Sequence, residues 1–530
     1  MTNKYYIYLL PHGRKIHAKP GKSLMESLID QNIFLRSDCG GKGTCGKCRV
    51  KKKLENGDHE IINACTYTVS DDIKIEIPES SMMSSHIISK APVSLPKVFT
   101  DRFKNINEKE YGIAVDLGTT TIAVYLCNTA RGRILSSLSI KNPQVLYGDD
   151  VMSRISAIGR DEKNLGHLQN LVVRAIEWGA NDLLSSLDLE ENIISQMVVV
   201  GNPTMIHILA GVDPKSIGVS PYQPAFYDAK SIPSDDLGFK LESFPIQILS
   251  QISGFIGGDI LSAAIASDLE NKPDGTLLVD LGTNGELMLK ANGKFYATSC
   301  ATGPAFEGAT IACGMQAIPG AINKVQIKSQ KDIPEYTLIN SSKYSKEKPS
   351  GICGTGVISA VAQFCQKNII EPGGAFKKDI ILPTLTNDDS GKIQYNIVPG
   401  SSQDGSKVFI SQKDIRSIQL GKAALITGIE FLLKEAGIDK FVKIIIAGAF
   451  GSFLDKKDMM TLGMIPSMDL AKVETAGNLA GVGSVMILCN NIYLKKSIQM
   501  AKQINVVDLT CDQDFQETFI KRLGFPISKG

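Results

Sequence analysis

Two short stretches, AVDLGTTT (residues 114–121) and LVDLGTNG (278–285), repeat one local design. Each ends an apolar, β-branched run on Asp-Leu-Gly-Thr, and a second apolar run follows at once, giving YGIAVDLGTTTIAVYL (111–126) and GTLLVDLGTNGELMLK (275–290). Two runs of this kind around a glycine turn read as strand–turn–strand. One copy is an ordinary hairpin. Two copies in matching context point to a duplicated fold. Each is followed by a third strand signal, GRILSSLSIK and KFYATSCA, and later by long helical patterns, LGHLQNLVVRAIEWGANDLLSSL and IRSIQLGKAALITGIEFLLKEAG, the second with Gly437 as its stop. The buried-strand signals QMVVVGNP and FVKIIIAGAFG alternate with these helices. From Tyr111 onward the texture is therefore α/β.

The first part of the chain has a different texture. KYYIYLL and RKIHAKP are short strands around Pro11-His12-Gly13, KSLMESLIDQN is a helix that Ser23 can cap, and RVKKKLENG and DIKIEIP are further strands. A sheet crossed by one helix, with a loop after that helix, is a β-grasp arrangement. Residues 79–110, rich in Ser, Lys and Pro without clear periodicity, read as a linker that tethers the small domain and lets it move. The expected organisation is thus a multidomain α+β and α/β chain: a small domain at 1–78, a linker at 79–110, a first lobe at 111–273 and a second at 274–530. At 530 residues, several cores are required.

Bulk properties exclude some partners. A net charge of +2, with 43% hydrophobic and 21% charged residues, makes no electrostatic case for nucleic acid. No apolar run is long enough to span a bilayer, and MTNKYYIYLLPHGRK does not read as a signal peptide, so the cytoplasm is the expected location. Of the eleven cysteines, Cys127, Cys300, Cys313, Cys353, Cys365, Cys489 and Cys511 stand alone among small and apolar residues and read as buried hydrophobes.

The other four form SDCGGKGTCGKCRV plus one distant partner: Cys39, Cys45, Cys48 and Cys65, in the pattern C-x5-C-x2-C-x16-C. A structural zinc site is a rival, but such sites usually pair two C-x2-C knuckles. A redox dithiol needs only Cys45 and Cys48. A [2Fe–2S] cluster uses all four thiolates, three from one tight loop and one remote, and the first gap is one residue longer than in plant-type ferredoxins, as in the adrenodoxin-like branch. The interleaved glycines suit a loop that needs positive φ and close backbone approach to sulfur.

The hairpins carry different chemistry. A glycine turn lets backbone amides approach phosphate oxygens, threonines add hydroxyl donors, and an Asp at a strand end can hold Mg²⁺ or orient a water. Asp116 with Gly118, Thr119 and Thr120 forms one such group, and Asp280 with Gly282, Thr283 and Asn284 the other. Two such hairpins facing each other would clamp the phosphates of one nucleotide. Gly448 and Gly451 in IIIAGAFGSF mark a third glycine-rich strand end, where a flat adenine could lie against the backbone.

The two hairpins and the late glycine motif, in this order, resemble the acetate and sugar kinase/Hsp70/actin superfamily, whose fold is two RNase H-like lobes closing on ATP. The resemblance carries Asp116 and Asp280 over as phosphate and Mg²⁺ residues, and Gly448 and Gly451 as the adenosine contact; Ala449 interrupts the usual Gly-Gly pair. Joined to a [2Fe–2S] domain, the chain resembles the reductive activators of corrinoid proteins. The match runs through CGGKGTCGKC, ACTY, GIAVDLGTTT, NPQVLYGDDVMSRI, VVVGNPTMIHIL, VDLGTNGELML, ATGPAFEGATIACGM, SGICGTGVI and IAGAFGSFLD.

That resemblance implies an ATP-hydrolysing iron–sulfur reductase that returns an inactive Co(II) corrinoid, carried by a partner protein, to Co(I). It implies a low-potential donor such as a ferredoxin or flavodoxin, and a homodimer. Isolated Cys489 and Cys511 exclude the branch with extra C-terminal [4Fe–4S] clusters. Three other readings share some of these features: an ATP-driven activator of another low-potential enzyme, a small-molecule kinase with an electron-transfer domain, and an ATP-regulated redox-sensing binding module.

Overall fold

The computed structural model describes residues 5–11, 13–18, 21–31, 33–35, 43, 46–78, 81–82, 111–241, 243–308, 310–340, 347–388, 390–400, 407–448, 454–509 and 514–526. Of the expected linker, only Ser81 and Met82 fall among them.

The N-terminal strands are β1 (Tyr5–Leu10), β2 (Arg14–Ala18), β3 (Arg49–Lys53), β4 (His59–Asn63) and β5 (Ile73–Glu76), with helix α1 at Leu24–Ile29. They form one sheet in the order β2-β1-β5-β3-β4, in which β1 and β5 run parallel with Ile7 opposite Ile73. This is the expected β-grasp. Helix α1 starts where Ser23 and Glu26 form a capping box: the Glu26 N–H donates to Ser23 Oγ (3.2 Å) and the Ser23 N–H to Glu26 Oε2 (2.8 Å). Its Leu24, Met25, Leu28 and Ile29 share one buried cluster with Ile7, Ile16, Val50, Ile73 and Ile75 of the sheet. Strand β4 has no counterpart among the sequence expectations.

The next segment supplies β6 (Tyr111–Leu117), β7 (Thr121–Asn128), β8 (Arg133–Lys141), β9 (Ile194–Gly201), β10 (Lys230–Pro233) and β11 (Pro245–Ile248), with α2 (Val151–Arg160), α3 (Lys163–Ser185), α4 (Pro203–Leu209) and α5 (Gly258–Ala266). Their sheet has the order β10-β11-β9-β6-β7-β8. Helix α3 packs closely on it at Gly179, where a Cβ would sit 3.2 Å from Leu138 and 3.3 Å from Val124.

The C-terminal segment begins with β12 (Thr276–Leu281), β13 (Gly285–Ala291) and β14 (Lys294–Cys300), then β15 (Ala321–Gln326), β16 (Glu335–Leu338), β17 (Gly351–Ile352) and α6 (Gly354–Gln366). It continues with β18 (Leu385–Asn387), β19 (Ile393–Val398), β20 (Val408–Ser411), α7 (Gln412–Ala436), β21 (Lys443–Ala447) and α8 (Lys456–Leu462). It ends with β22 (Val473–Thr475), α9 (Leu479–Cys489), α10 (Asn491–Ala501), β23 (Ile504–Val506) and α11 (Phe515–Lys521). The main sheet here is β22-β21-β12-β13-β14-β23, and two three-stranded sheets, β16-β15-β17 and β18-β19-β20, accompany it. Gly437 ends α7 in the left-handed region (φ 64°), as expected.

The duplication extends beyond the two hairpins. In one sheet β6, β7 and β8 form an antiparallel meander, with β9 and then β11 parallel on the other side of β6. In the other, β12, β13 and β14 form the meander, with β21 and then β22 in the equivalent places. These are two RNase H-like sheets. By contacts the chain divides into two compact units: residues 1–89, 93–258 and 484–491 form one, and 90–92, 259–483 and 492–530 the other. Among the described residues no helix is long and apolar enough to cross a membrane.

Candidate functional site

The thiols of Cys48 and Cys65 lie 3.3 Å apart. The β3–β4 ladder brings them together: Arg49 pairs with Asn63, and the Ala64 N–H donates to the Cys48 carbonyl at 3.0 Å. A ligand remote in sequence thereby becomes the neighbour of the third loop cysteine. Two thiolates sharing one tetrahedral metal at bond lengths of about 2.3 Å stand roughly 3.8 Å apart, so this pair is nearly in chelating position. Gly43 and Gly46 adopt the positive φ expected of the loop, 74° and 61°. Cys39 and Cys45 lie outside the described residues. The donor chemistry fits an iron–sulfur cluster. The solitary cysteines Cys127, Cys300, Cys353 and Cys489 are buried as expected, whereas Cys313 and Cys365 are half-buried and Cys511 lies outside the described residues.

The first hairpin turns at Gly118, whose N–H donates to the Thr121 carbonyl (3.1 Å), and a Cβ there would meet that carbonyl oxygen at 2.6 Å. Three successive carbonyls of the turn are held from behind. Asn142 Nδ2 donates to Gly118 O (2.9 Å), Arg154 donates to Thr119 O (2.6 Å), and the Asn142 N–H donates to Thr120 O (2.8 Å). The Thr119 hydroxyl accepts from Asn202 Nδ2 at 2.9 Å. Arg154 and Asn142 are both fully buried. Burial pushes the Arg154 guanidinium down to about 9, with Asp150 and Asp149 opposing, so it remains charged at neutral pH. A turn fixed in this way meets the condition for presenting amides to phosphate without reorganisation. Asp116 sits just before it on β6, opposite Ala123 on one side and Val200 on the other.

The second hairpin repeats the geometry with a different lining. The Gly282 N–H donates to the Asn284 carbonyl (2.9 Å), and Thr283 is tied to Glu307 through its hydroxyl (3.2 Å) and to Thr302 through its carbonyl (3.2 Å). Asp280 pairs across the ladder with Glu286, where the first hairpin has an alanine. Glu286 is buried, and burial first, then Asp259 and Asp280, push its carboxyl well above the usual carboxylate range. Among the described residues no three carboxylate, histidine or cysteine side chains are arranged to hold a metal ion.

Gly448 follows β21 with φ 111°, and a Cβ would stand 2.2 Å from the Leu281 carbonyl oxygen. Gly201, the last residue of β9 and opposite Leu117 in the ladder, would bring a Cβ to 2.6 Å from the Leu117 carbonyl. Both glycines are thus required by the close approach of one strand end to the hairpin strand beside it, which explains Gly448 without an adenine. Gly451 lies outside the described residues. The sequence reading assigned no role to Asn142, Arg154, Asn202 or Glu286, although all four lie within strings that carry the resemblance, and Glu286 also stands out as a carboxylate inside the apolar run GELML.

Three family models match the chain in succession: a 2Fe-2S iron-sulfur cluster binding domain over 7–70, the RACo middle region over 111–272, and the C-terminal domain of RACo, the ASKHA domain, over 274–530. The chain is 28% identical to "Corrinoid activation enzyme RamQ" of Eubacterium limosum, over 92% of this chain and 93% of that protein. It is 26% identical to "[Co(II) methylated amine-specific corrinoid protein] reductase" of Methanosarcina barkeri, over 78% and 77%. The solved structure titled "Reductive activator for corrinoid,iron-sulfur protein" shares its fold, with a TM-score of 0.73 at 24% identity over 98% of each chain.

Proposed function

The chain belongs to the reductive-activator family, which joins a 2Fe-2S domain to RACo middle and ASKHA regions, and on that premise we propose that it reduces the Co(II) corrinoid of a methyltransfer protein to Co(I) at the expense of ATP. The observation that carries this reading is the Cys48–Cys65 thiol pair, 3.3 Å apart in a β-grasp domain that precedes two phosphate-type hairpin lobes.

Cys39, Cys45, Cys48 and Cys65 would hold a [2Fe–2S] cluster, which would supply one-electron transfer at low potential, about −400 mV for ferredoxin-type sites. The partner's Co(II) corrinoid would take up one electron, delivered in turn by a donor, to become Co(I). Each 59 mV of unfavourable gap costs about tenfold in this equilibrium. ATP hydrolysis to ADP and phosphate offsets that gap, and it does so only through differential binding to two states of the chain. Asp116 and Asp280 are proposed as the phosphate and Mg²⁺ residues, with Gly118, Thr119 and Thr120, and Gly282, Thr283 and Asn284, presenting donors to phosphate oxygens. Gly448 and Gly451 are proposed near the adenosine.

Lys47 and Arg49 are exposed on either side of Cys48 in the chain and favour an acidic electron donor, such as a ferredoxin or flavodoxin. The proposed domains are 1–78, 79–110, 111–273 and 274–530; the β-grasp sheet ends at Glu76, the next sheet runs from Tyr111 to Ile248, and the C-terminal main sheet begins at Thr276. The proposed corrinoid belongs to the partner protein. A homodimer and a cytoplasmic location complete the reading, both resting on resemblance.

The test combines reconstituted protein, a Co(II) corrinoid protein and a low-potential reductant, with ATP or a non-hydrolysable analogue. Co(I) absorption is expected to accumulate only with hydrolysable ATP. Equal Co(I) formation without it would refute ATP coupling, and a colourless, iron-free protein holding one zinc would refute the cluster.

A further inference from the structure

The segment Asn142–Arg154 has two faces, and each touches a different functional element. One face holds the first hairpin, through the bonds from Asn142 and Arg154 to the carbonyls of Gly118, Thr119 and Thr120. The other face is the seat of the β-grasp domain. Pro143, Val145 and Leu146 line a small apolar cavity with Met25, Ile29 and Phe34. The Tyr147 hydroxyl contacts Glu26 Oε1 (3.2 Å) and His167 Nδ1 (3.3 Å), and Asn170 Nδ2 donates to Asp30 Oδ1 (3.1 Å). Phe34 meets Trp178 edge-on, with ring centroids 5.9 Å apart.

Between the two faces there is almost no slack. Residues 143–146 form a single 3-10 turn capped by Asn142, whose Oδ1 accepts from the Gln144 N–H at 3.0 Å. Arg154 spans the same short path: it donates to the Gln144 side chain (3.0 Å) and to Gly148 O (3.1 Å) while it holds Thr119. The hairpin carbonyls and the turn are thus joined by direct hydrogen bonds. The β-grasp domain and the first lobe belong to one compact unit and share one buried hydrophobic cluster, so a change in the seat is felt in both.

We propose that this segment couples nucleotide at the first hairpin to the hold on the cluster domain, so that occupancy of the Gly118 turn changes how firmly α1 and Phe34 are seated. This rests on reading that turn as a nucleotide phosphate site. The coupling is reciprocal by linkage: whatever nucleotide does to the seat, loosening the seat does to nucleotide affinity, typically by about 5-fold or more.

Trp178 is the only tryptophan of the chain and reports the seat directly. Full-length, cluster-reconstituted protein is titrated with ADP and with a non-hydrolysable ATP analogue, while tryptophan emission and calorimetric binding are followed in parallel. Trp178 emission is expected to change at saturation, and Phe34→Ala is expected to alter the nucleotide Kd by about 5-fold or more. Tyr147→Phe, which deletes only a hydroxyl, should move the Kd in the same direction by a smaller factor. Both the emission change and the Kd change are required; either one alone overturns the coupling and leaves the ATP reading standing. Absence of any calorimetric nucleotide binding overturns the ATP reading itself.

Discussion

The guanidinium of Arg154, fully buried, donates to the carbonyl of Thr119 at 2.6 Å. A buried cation thus stands directly behind the first phosphate-type turn. Arg154→Met leaves the Thr119 and Gly148 carbonyls without this donor, at a cost of about 2–4 kcal/mol in stability. It should also weaken nucleotide binding by about tenfold or more as the turn loosens. Thermal unfolding and nucleotide titration check both effects. A lowered melting point with an unchanged nucleotide Kd would show that the residue serves packing alone.

The Cys48–Cys65 geometry makes a specific comparison possible. Cys65→Ser and Cys48→Ser should each lose the visible absorption and the iron of the cluster, while Cys127→Ser, at a buried solitary thiol, should keep both. Iron assay and electron paramagnetic resonance of the reduced protein decide the matter. Full iron retention in Cys65→Ser would remove it from the ligand set.

Asp280 and Glu286 face each other across the β12–β13 ladder, and different roles are expected of them. Burial first, then Asp259 and Asp280, push the Glu286 carboxyl well above the usual carboxylate range, which favours its neutral form, so the isosteric Glu286→Gln should leave ATP turnover within severalfold of wild type. Asp280→Asn removes the charge proposed to engage Mg²⁺ and should lower turnover by about 10²-fold or more. Equal losses in the two variants would contradict this division.

Asp458, at the start of α8, is pushed up to about 6, first by burial and then by Asp455. Its folded pKa exceeds that of an unfolded aspartate, about 3.9, so the folded state binds the proton more tightly. The stability this contributes is complete below about pH 4 and is lost as pH rises through 6. Asp458→Asn should therefore flatten the melting temperature across that window and raise it by about 2–4 °C at pH 7. Parallel melting curves for the two proteins from pH 4 to 7 would rule this out.

Gly201→Ala and Gly448→Ala should both destabilise the chain by at least about 2 kcal/mol, because each forces a Cβ against a hairpin carbonyl, at 2.6 Å and 2.2 Å. Gly448→Ala should be the worse, since φ 111° adds backbone strain. Differential scanning calorimetry gives the order, and a Gly448→Ala protein that melts with wild type would disprove the contact.

These positions divide sharply in how far sequence could reach them. The Asp-Leu-Gly-Thr hairpins were legible because apolar runs, turn glycine and hydroxyls are all contiguous. Cys65 was legible because the cluster demands a fourth thiolate. Strand β4 was not, since HEIIN is mostly exposed and too short to show alternation. Arg154 and Asn142 were not, because they act on a turn that lies more than twenty residues earlier in the chain, and nothing local distinguishes a buried arginine on an amphipathic helix from a solvated one. The matched glycines Gly201 and Gly448 fell in unlike strings, GNP and AGAF, and only the sheet alignment pairs them.

The β3–β4 ladder also ties the candidate cluster site to strand register. Backbone hydrogen bonds place Cys48 beside Cys65, with Arg49 opposite Asn63. A slip of one residue in that pairing would turn every side chain of the slipped strand to the other face of the sheet and part the two thiols. Insertions or deletions in the β3–β4 turn are therefore tolerated only where they keep this register.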